Sequence, residues 1–290
     1  MADPYALLVQ PFLDYGFMRR ALVGALLLAL SACPVGVFLM LRRMSLTGDA
    51  MAHAILPGAA AAFLLYGLEI VPMTLGGLAV GLVVALGAGA LSRLTVQRED
   101  AAMAALYLIS LAAGVMLVSL RGSSVDLMHV LFGTVLALND QALALIALAC
   151  AATLVSLVLL WRALVAECLD PLFLRSVSGL GTPVHLAFLV LVVLNLVAGF
   201  QALGTLLSVG LMMLPAAAAR FWARRVVPMC ALAVGIGATS SVAGLLASYH
   251  ASLPSGPAII LAAGAVYLAS ALLAPRGLLA RAPRTRHRTA

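Results

Sequence analysis

The stretch Arg42-Arg43-Met44-Ser45-Leu46-Thr47-Gly48-Asp49-Ala50-Met51-Ala52-His53-Ala54-Ile55-Leu56-Pro57-Gly58 lies between two strongly apolar runs, yet it carries an aspartate, a histidine, two glycines and a proline. Asp49 and His53 are four residues apart, so on a helix they share one face, a turn apart. An ionised group at the centre of a bilayer costs at least ~2.5–3.5 kcal/mol on insertion scales, so one retained there marks function. The other acidic residues fall in gaps between apolar runs or in the N-terminal segment. Asp49 alone is followed at once by a span and paired with a histidine.

The runs around this stretch set the fold class. Of 290 residues, 64% are hydrophobic and 9% charged, against roughly 25% charged in a soluble domain. Apolar stretches near the length needed to cross a bilayer recur along the chain, and the alternating short strands of an outer-membrane barrel are absent. The expectation is an all-α integral membrane protein, a polytopic bundle of about nine transmembrane helices, with eight possible. The spans read as 20–41, 50–67, 71–92, 101–120, 141–162, 184–200, 203–222, 226–248 and 256–274. Residues 1–290 form one domain, with an interfacial segment at 1–18, a half-helix at 127–138, a non-spanning stretch at 163–183 and a basic tail at 276–290. Glycines inside spans, such as Gly76, Gly77, Gly81, Gly87, Gly89, Gly235 and Gly237, read as close helix packing. Asn195 reads as a bridge between two helices, and the methionines, Met212 and Met213 included, as core.

The net charge of +7 comes from 17 basic residues, all of them arginine. They gather at span ends and in the tail, which is a topology signal and excludes a nucleic-acid surface. With 163–183 in the cytoplasm, Arg42, Arg43, Arg93, Arg98, Arg162, Arg175, Arg220, Arg224, Arg225 and the tail arginines fall inside. Only Arg19, Arg20 and Arg121 fall outside, placing the N-terminus outside and the C-terminus in the cytoplasm. The four cysteines have neither disulfide-framework nor zinc-finger spacing. Leu30-Ser31-Ala32-Cys33 resembles a lipoprotein cleavage site, but the apolar run continues to Leu41 and reads as a first span.

The segment RRMSLTGDAMAHAILPG resembles the R-x-S-L-x-G-D-A-x-x-H-A-x-x-P-G block of permease subunits of ABC importers for zinc, manganese and iron. Three further stretches are similar to that family's blocks: DLMHVLFG (126–133), GTLLSVGLMMLPAAAARFWARR (204–225) and SYHASLPSGPAIIL (248–261). The resemblance runs from about residue 10 to 275. It implies a homodimeric permease in the bacterial inner membrane, alternating its access between the two sides. A metal-binding solute-binding protein would deliver the ion and a separate ABC ATPase subunit would supply the energy. The chain is then not itself an enzyme. The sequence agrees independently: a Walker A loop needs a lysine, and none occurs here.

Carried onto this chain residue by residue, the resemblance makes Asp49 and His53 intramembrane ligands of the transported ion. A carboxylate and an imidazole suit Zn²⁺, Mn²⁺ or Fe²⁺ better than Cu⁺, and two copies across a two-fold axis would offer four ligands. No permanently bound cofactor is implied. The competing reading makes Asp49 the cap of a helix starting at Ala50 and His53 merely packed. For the ligand reading, a dipping, extended chain of seven residues after Arg42 and Arg43 would span ~20 Å into the membrane. The segment containing Glu167, Asp170, Phe173, Leu174, Arg175 and Gly179 is similar to the family's cytoplasmic coupling helix, with Leu172, Phe173 and Leu174 as an apolar plug for the ATPase. Weaker ligand candidates are His250, on an outer loop that lacks the acidic neighbour frequent in the family, and the pair Asp126 and His129. His185 reads as interfacial. A self-sufficient proton-coupled metal carrier, using Asp49 and His53 as a relay, is the rival function.

Overall fold

The computed structural model describes residues 9–67, 69–120, 138–169, 179 and 181–279. Among these the chain is helical and contains no strand. A short helix α1 (Gln10–Asp14) precedes α2 (Gly16–Leu41), α3 (Ser45–Tyr66), α4 (Ile70–Leu94), α5 (Glu99–Leu120), α6 (Asp140–Leu169), α7 (Gly181–Leu203), α8 (Thr205–Trp222), α9 (Val226–Ala251) and α10 (Ser255–Leu273). From α2 onward, nine helices among the described residues are long and apolar enough to cross a membrane. Hydrocarbon offers no partner to a bare N–H or C=O, so such runs must satisfy their backbone internally, as helices do. The half-helix expected at 127–138 lies, but for Leu138, outside the described residues, as do Asp126 and His129.

Of the boundaries that differ from those read in the sequence, two matter here. At the first, α2 stops in a left-handed turn: Arg43 has φ 61°, its N–H bonds the Met40 carbonyl at 3.2 Å, and the Met44 N–H bonds Leu39 at 3.0 Å. This pair of bonds is the Schellman stop, here with arginine where glycine is usual. The chain turns so tightly that α3 begins at Ser45, with no side-chain cap. Asp49 is therefore inside the helix, not its cap, and the extended approach is replaced by helical chain. At about 1.5 Å rise per residue, Asp49 and His53 lie roughly 6 and 12 Å in from the start of α3. At the second boundary, α6 runs on to Leu169, seven residues past the expected end at 162. Its last turn turns inward, so Glu167 is buried.

Helices α2 and α7 form the centre of the bundle, each with 72% of its span buried. Helix α2 packs on α6, α8 and α9, and α7 packs on α4 and α6; α3, α4 and α5 make one cluster at the side, and α8, α9 and α10 another. Several crossings exist only because a side chain is missing. A Cβ on Gly58 would run into the Gly76 carbonyl, and one on Gly36 into the carbonyl of Met212. At Gly77, Gly81, Gly89 and Gly237 a Cβ would meet side-chain atoms of neighbouring helices before any backbone, whereas Gly235 faces open space. Asn195 bridges α7 to α6 by donating to Thr153 at 2.8 Å, and Met212 is fully buried packing. Helix α2 continues unbroken through the buried Cys33.

Side-chain contacts fix which helix ends lie together. Arg220 reaches the Met40 carbonyl, and Arg276 reaches the Ala223 carbonyl, at one end of the bundle. Arg20 meets Asp140, and Tyr15 stacks near Tyr249, at the other. Successive spans therefore alternate in direction, and Arg42, Arg43, Arg93, Arg98, Arg220, Arg224, Arg225 and Arg276 collect at the first end.

Candidate functional site

Along α3 the less buried residues form one stripe: Leu46, Asp49, His53, Leu56, Ala60 and Phe63. The spacing of three and four is that of a single helix face. The opposite face, with Met51, Ala54, Ile55 and Gly58, packs into the bundle. The pair named from sequence is thus brought together on the open face. His53 Nε2 lies 3.8 Å from Asp49 Oδ1, and the side chains are 42% and 68% exposed. Behind them, the absent side chain of Gly48 admits Met212 and Met213 from α8. Among the described residues no group of three or more His, Cys, Asp or Glu is gathered closely enough to hold a metal ion. The pair offers one carboxylate and one imidazole, fewer donors than the four to six that divalent transition ions usually take.

His250 is placed elsewhere. It lies at the end of α9 opposite the arginine-rich end, its ring edge-on to Tyr249 with centroids 5.2 Å apart. Gly179 has φ 61° with open space around it. Asp170, Phe173, Leu174 and Arg175 fall outside the described residues. Glu167, assigned from sequence to an exposed coupling surface, is instead only 4% exposed. Its carboxylate lies inside the bundle because two guanidinium groups meet it there.

That meeting is a cluster the sequence reading missed. Glu167 Oε1 lies 3.7 Å from Arg42 Nη2 and 3.6 Å from Arg93 Nη2. Arg42 Nη1 is 2.8 Å from His185 Nδ1. A guanidinium only donates, so Nδ1 accepts and the ring proton sits on Nε2, which lies 2.8 Å from Glu99 Oε1. Arg93 also donates to Thr182 at 2.7 Å. Arg42 covers the Phe188 ring at 4.7 Å, with Phe38 and Trp161 beneath. His185 is accordingly buried, not interfacial. Two arginines balance two glutamates, as buried charges require. The cluster joins the ends of α2, α4 and α6 to the starts of α5 and α7, beside a cleft of about 580 Å³ that opens at the arginine-rich end.

The chain is similar to known proteins along most of its length. The profile of the ABC 3 transport family matches residues 14–274. The chain is 32% identical to the manganese import system permease protein ScaB of Streptococcus parasanguinis over 93% of its own length and 96% of that protein. It is 31% identical to the chelated iron transport system membrane protein YfeC of Yersinia pestis, over 97% and 94%. Among solved structures it superposes on PsaBC from Streptococcus pneumoniae, in complex with Fab, with a TM-score of 0.81 at 32% identity, covering 93% of this chain and 96% of that one. An inward-facing metal-chelate type ABC transporter shares the fold, with a TM-score of 0.65 at 15% identity. A nine-span bundle with its acid–histidine pair on one open face, matched by profile, relatives and fold along nearly its whole length, belongs to the ABC 3 transport family.

Proposed function

We propose that this chain is the membrane-spanning permease subunit of an ATP-driven importer whose substrate is a divalent transition metal ion, manganese first and iron second. The observation that carries the reading is the Asp49–His53 pair on the open face of α3. A carboxylate and an imidazole left exposed among leucines and alanines are costly against lipid. The same face turned toward a second copy would instead complete a four-ligand site from two half-sites. Oxygen and nitrogen donors favour Mn²⁺, Fe²⁺ or Zn²⁺ over Cu⁺, and the relatives named for manganese and iron transport support the first two.

The subunit works as a homodimer, with the ion passing along the two-fold axis and access alternating between the two sides. A separate ATPase docks at the arginine-rich, cytoplasmic end on the segment carrying Asp170, Phe173, Leu174 and Arg175, and a metal-binding protein delivers the ion at the other end. The family membership favours this importer over a proton-coupled carrier. The test is manganese accumulation in cells lacking other importers, with the chain and its partner subunits expressed together. Uptake that persists after ATP depletion, with the proton gradient maintained, would refute the importer reading.

A further inference from the structure

We propose that Arg42, Glu167 and His185 are positioning residues for transport. They tie the start of the metal-bearing helix α3 to the end of α6, the helix that leads into the segment proposed to meet the ATPase. The proposal rests on the reading of α3 and of that segment given above and adds the connection between them. Helices α3 and α6 make no extensive contact with each other among the described residues. Arg42 lies just before α3, seven residues ahead of Asp49, and Glu167 is in the last turn of α6. The 3.7 Å approach between their side chains therefore joins the turn that launches α3 to the last turn of α6, at the end where α2 packs along α6.

The geometry of the link fits a joint better than a rivet. Charge-assisted hydrogen bonds close to about 2.7–2.9 Å, yet both guanidinium groups stand off Glu167 at 3.6 and 3.7 Å. Arg42 Nη2 and Glu167 Oε2 are buried without an aligned hydrogen-bond partner among the described residues, whereas His185 Nε2 and Glu99 Oε1 stand 2.8 Å apart. A buried polar network left partly satisfied is costly, so a cluster serving only to fasten helices is expected to close. Two arginines facing one carboxylate keep their attraction through a shift of an ångström or so, because Coulomb energy falls only as the inverse of distance. The adjoining cleft gives the side chains room to make that shift. A pull on α6 would thus be passed through Glu167 to Arg42, and from there to the turn that launches α3.

The experiment uses the complete transporter, this chain with its ATPase and its binding protein, in liposomes. The readout is Mn²⁺ ions imported per ATP hydrolysed, with ATPase co-purification and Mn²⁺ binding measured on the same preparations. Glu167→Gln removes the charge that both arginines share. Arg42→Lys keeps a charge but loses the planar fork that reaches His185 and Glu167 together. Both variants are expected to bind Mn²⁺ and ATPase as the wild type does while the ions moved per ATP fall by roughly 5- to 150-fold, the usual range of a coupling between sites. An unchanged ratio, or transport and hydrolysis falling in proportion, would overturn the proposal and leave the cluster a fastener. If Glu167→Gln fails to assemble, the ratio for Arg42→Lys decides by the same criterion. A wild-type preparation without ATP-dependent uptake would instead overturn the importer reading, and this inference with it.

Discussion

At Asp49 and His53 the contributions of charge and ring are separable. Asp49 lies inside α3 and not at its cap, so Asp49→Asn removes a negative charge without loosening the start of the helix. His53→Ala removes the imidazole and leaves a residue that favours helix. Both variants should reach normal levels in the membrane, while manganese accumulation drops by at least the ~10–100-fold seen when groups around a metal site are altered. If one ion joins the two residues, the double variant should match the worse single one instead of multiplying the defects. Elemental analysis of cells at matched expression measures this, and wild-type accumulation in Asp49→Asn would remove the pair from the pathway. The pair was legible in the sequence because a four-residue spacing inside an apolar run has few other readings. The buried cluster was not. Arg42, Arg93, Glu99, Glu167 and His185 stand at the ends of five spans, where charges are ordinarily solvated, and only the packing of those ends reveals that they face one another.

At the level of elements, bilayer thickness made the spans readable: about nine apolar runs were expected, and nine helices among the described residues are long and apolar enough to cross. The length of α6 was hidden because Arg162 and Glu167 resemble loop residues until a partner for the carboxylate is known. Close crossings were visible only as a frequency of glycine; which of them carry weight depends on the facing backbone. Gly58→Val should overlap the Gly76 carbonyl and lower stability by about 1–3 kcal/mol or more, as overpacking does. Gly235→Ala, in open space, should be neutral or raise stability by up to ~1 kcal/mol through helix propensity. Thermal unfolding of the purified protein in one detergent compares the two, and equal shifts would show that the α3–α4 crossing tolerates side chains. In the proposed coupling segment, Leu174→Asp would place a charge in an apolar groove with no partner. It should leave the chain inserted but abolish co-purification of the ATPase; normal recovery would remove residues 170–178 from that role.

For the molecule as a whole, the alternation of spans places the arginines Arg42, Arg93, Arg220 and Arg276 at one end, the expected pattern of a cytoplasmic face. Reporter fusions after Arg98 should therefore score as cytoplasmic, and those near Gly67 and Ser252 as external. A cytoplasmic score at Ser252 would contradict the direction assigned to α9. The long helix α6 adds a condition of another kind. Its 30 residues measure about 45 Å at ~1.5 Å per residue, against a hydrocarbon layer of about 30 Å. The rod is held near both extremities, by Asp140 to Arg20 at one and by Glu167 to Arg42 and Arg93 at the other. A thinner bilayer must then tilt it or leave more of it in water, and either adjustment is felt at the Glu167 end. Turnover in liposomes of graded acyl-chain length should pass through a maximum, so the lipid composition of the host membrane becomes a setting of the machine.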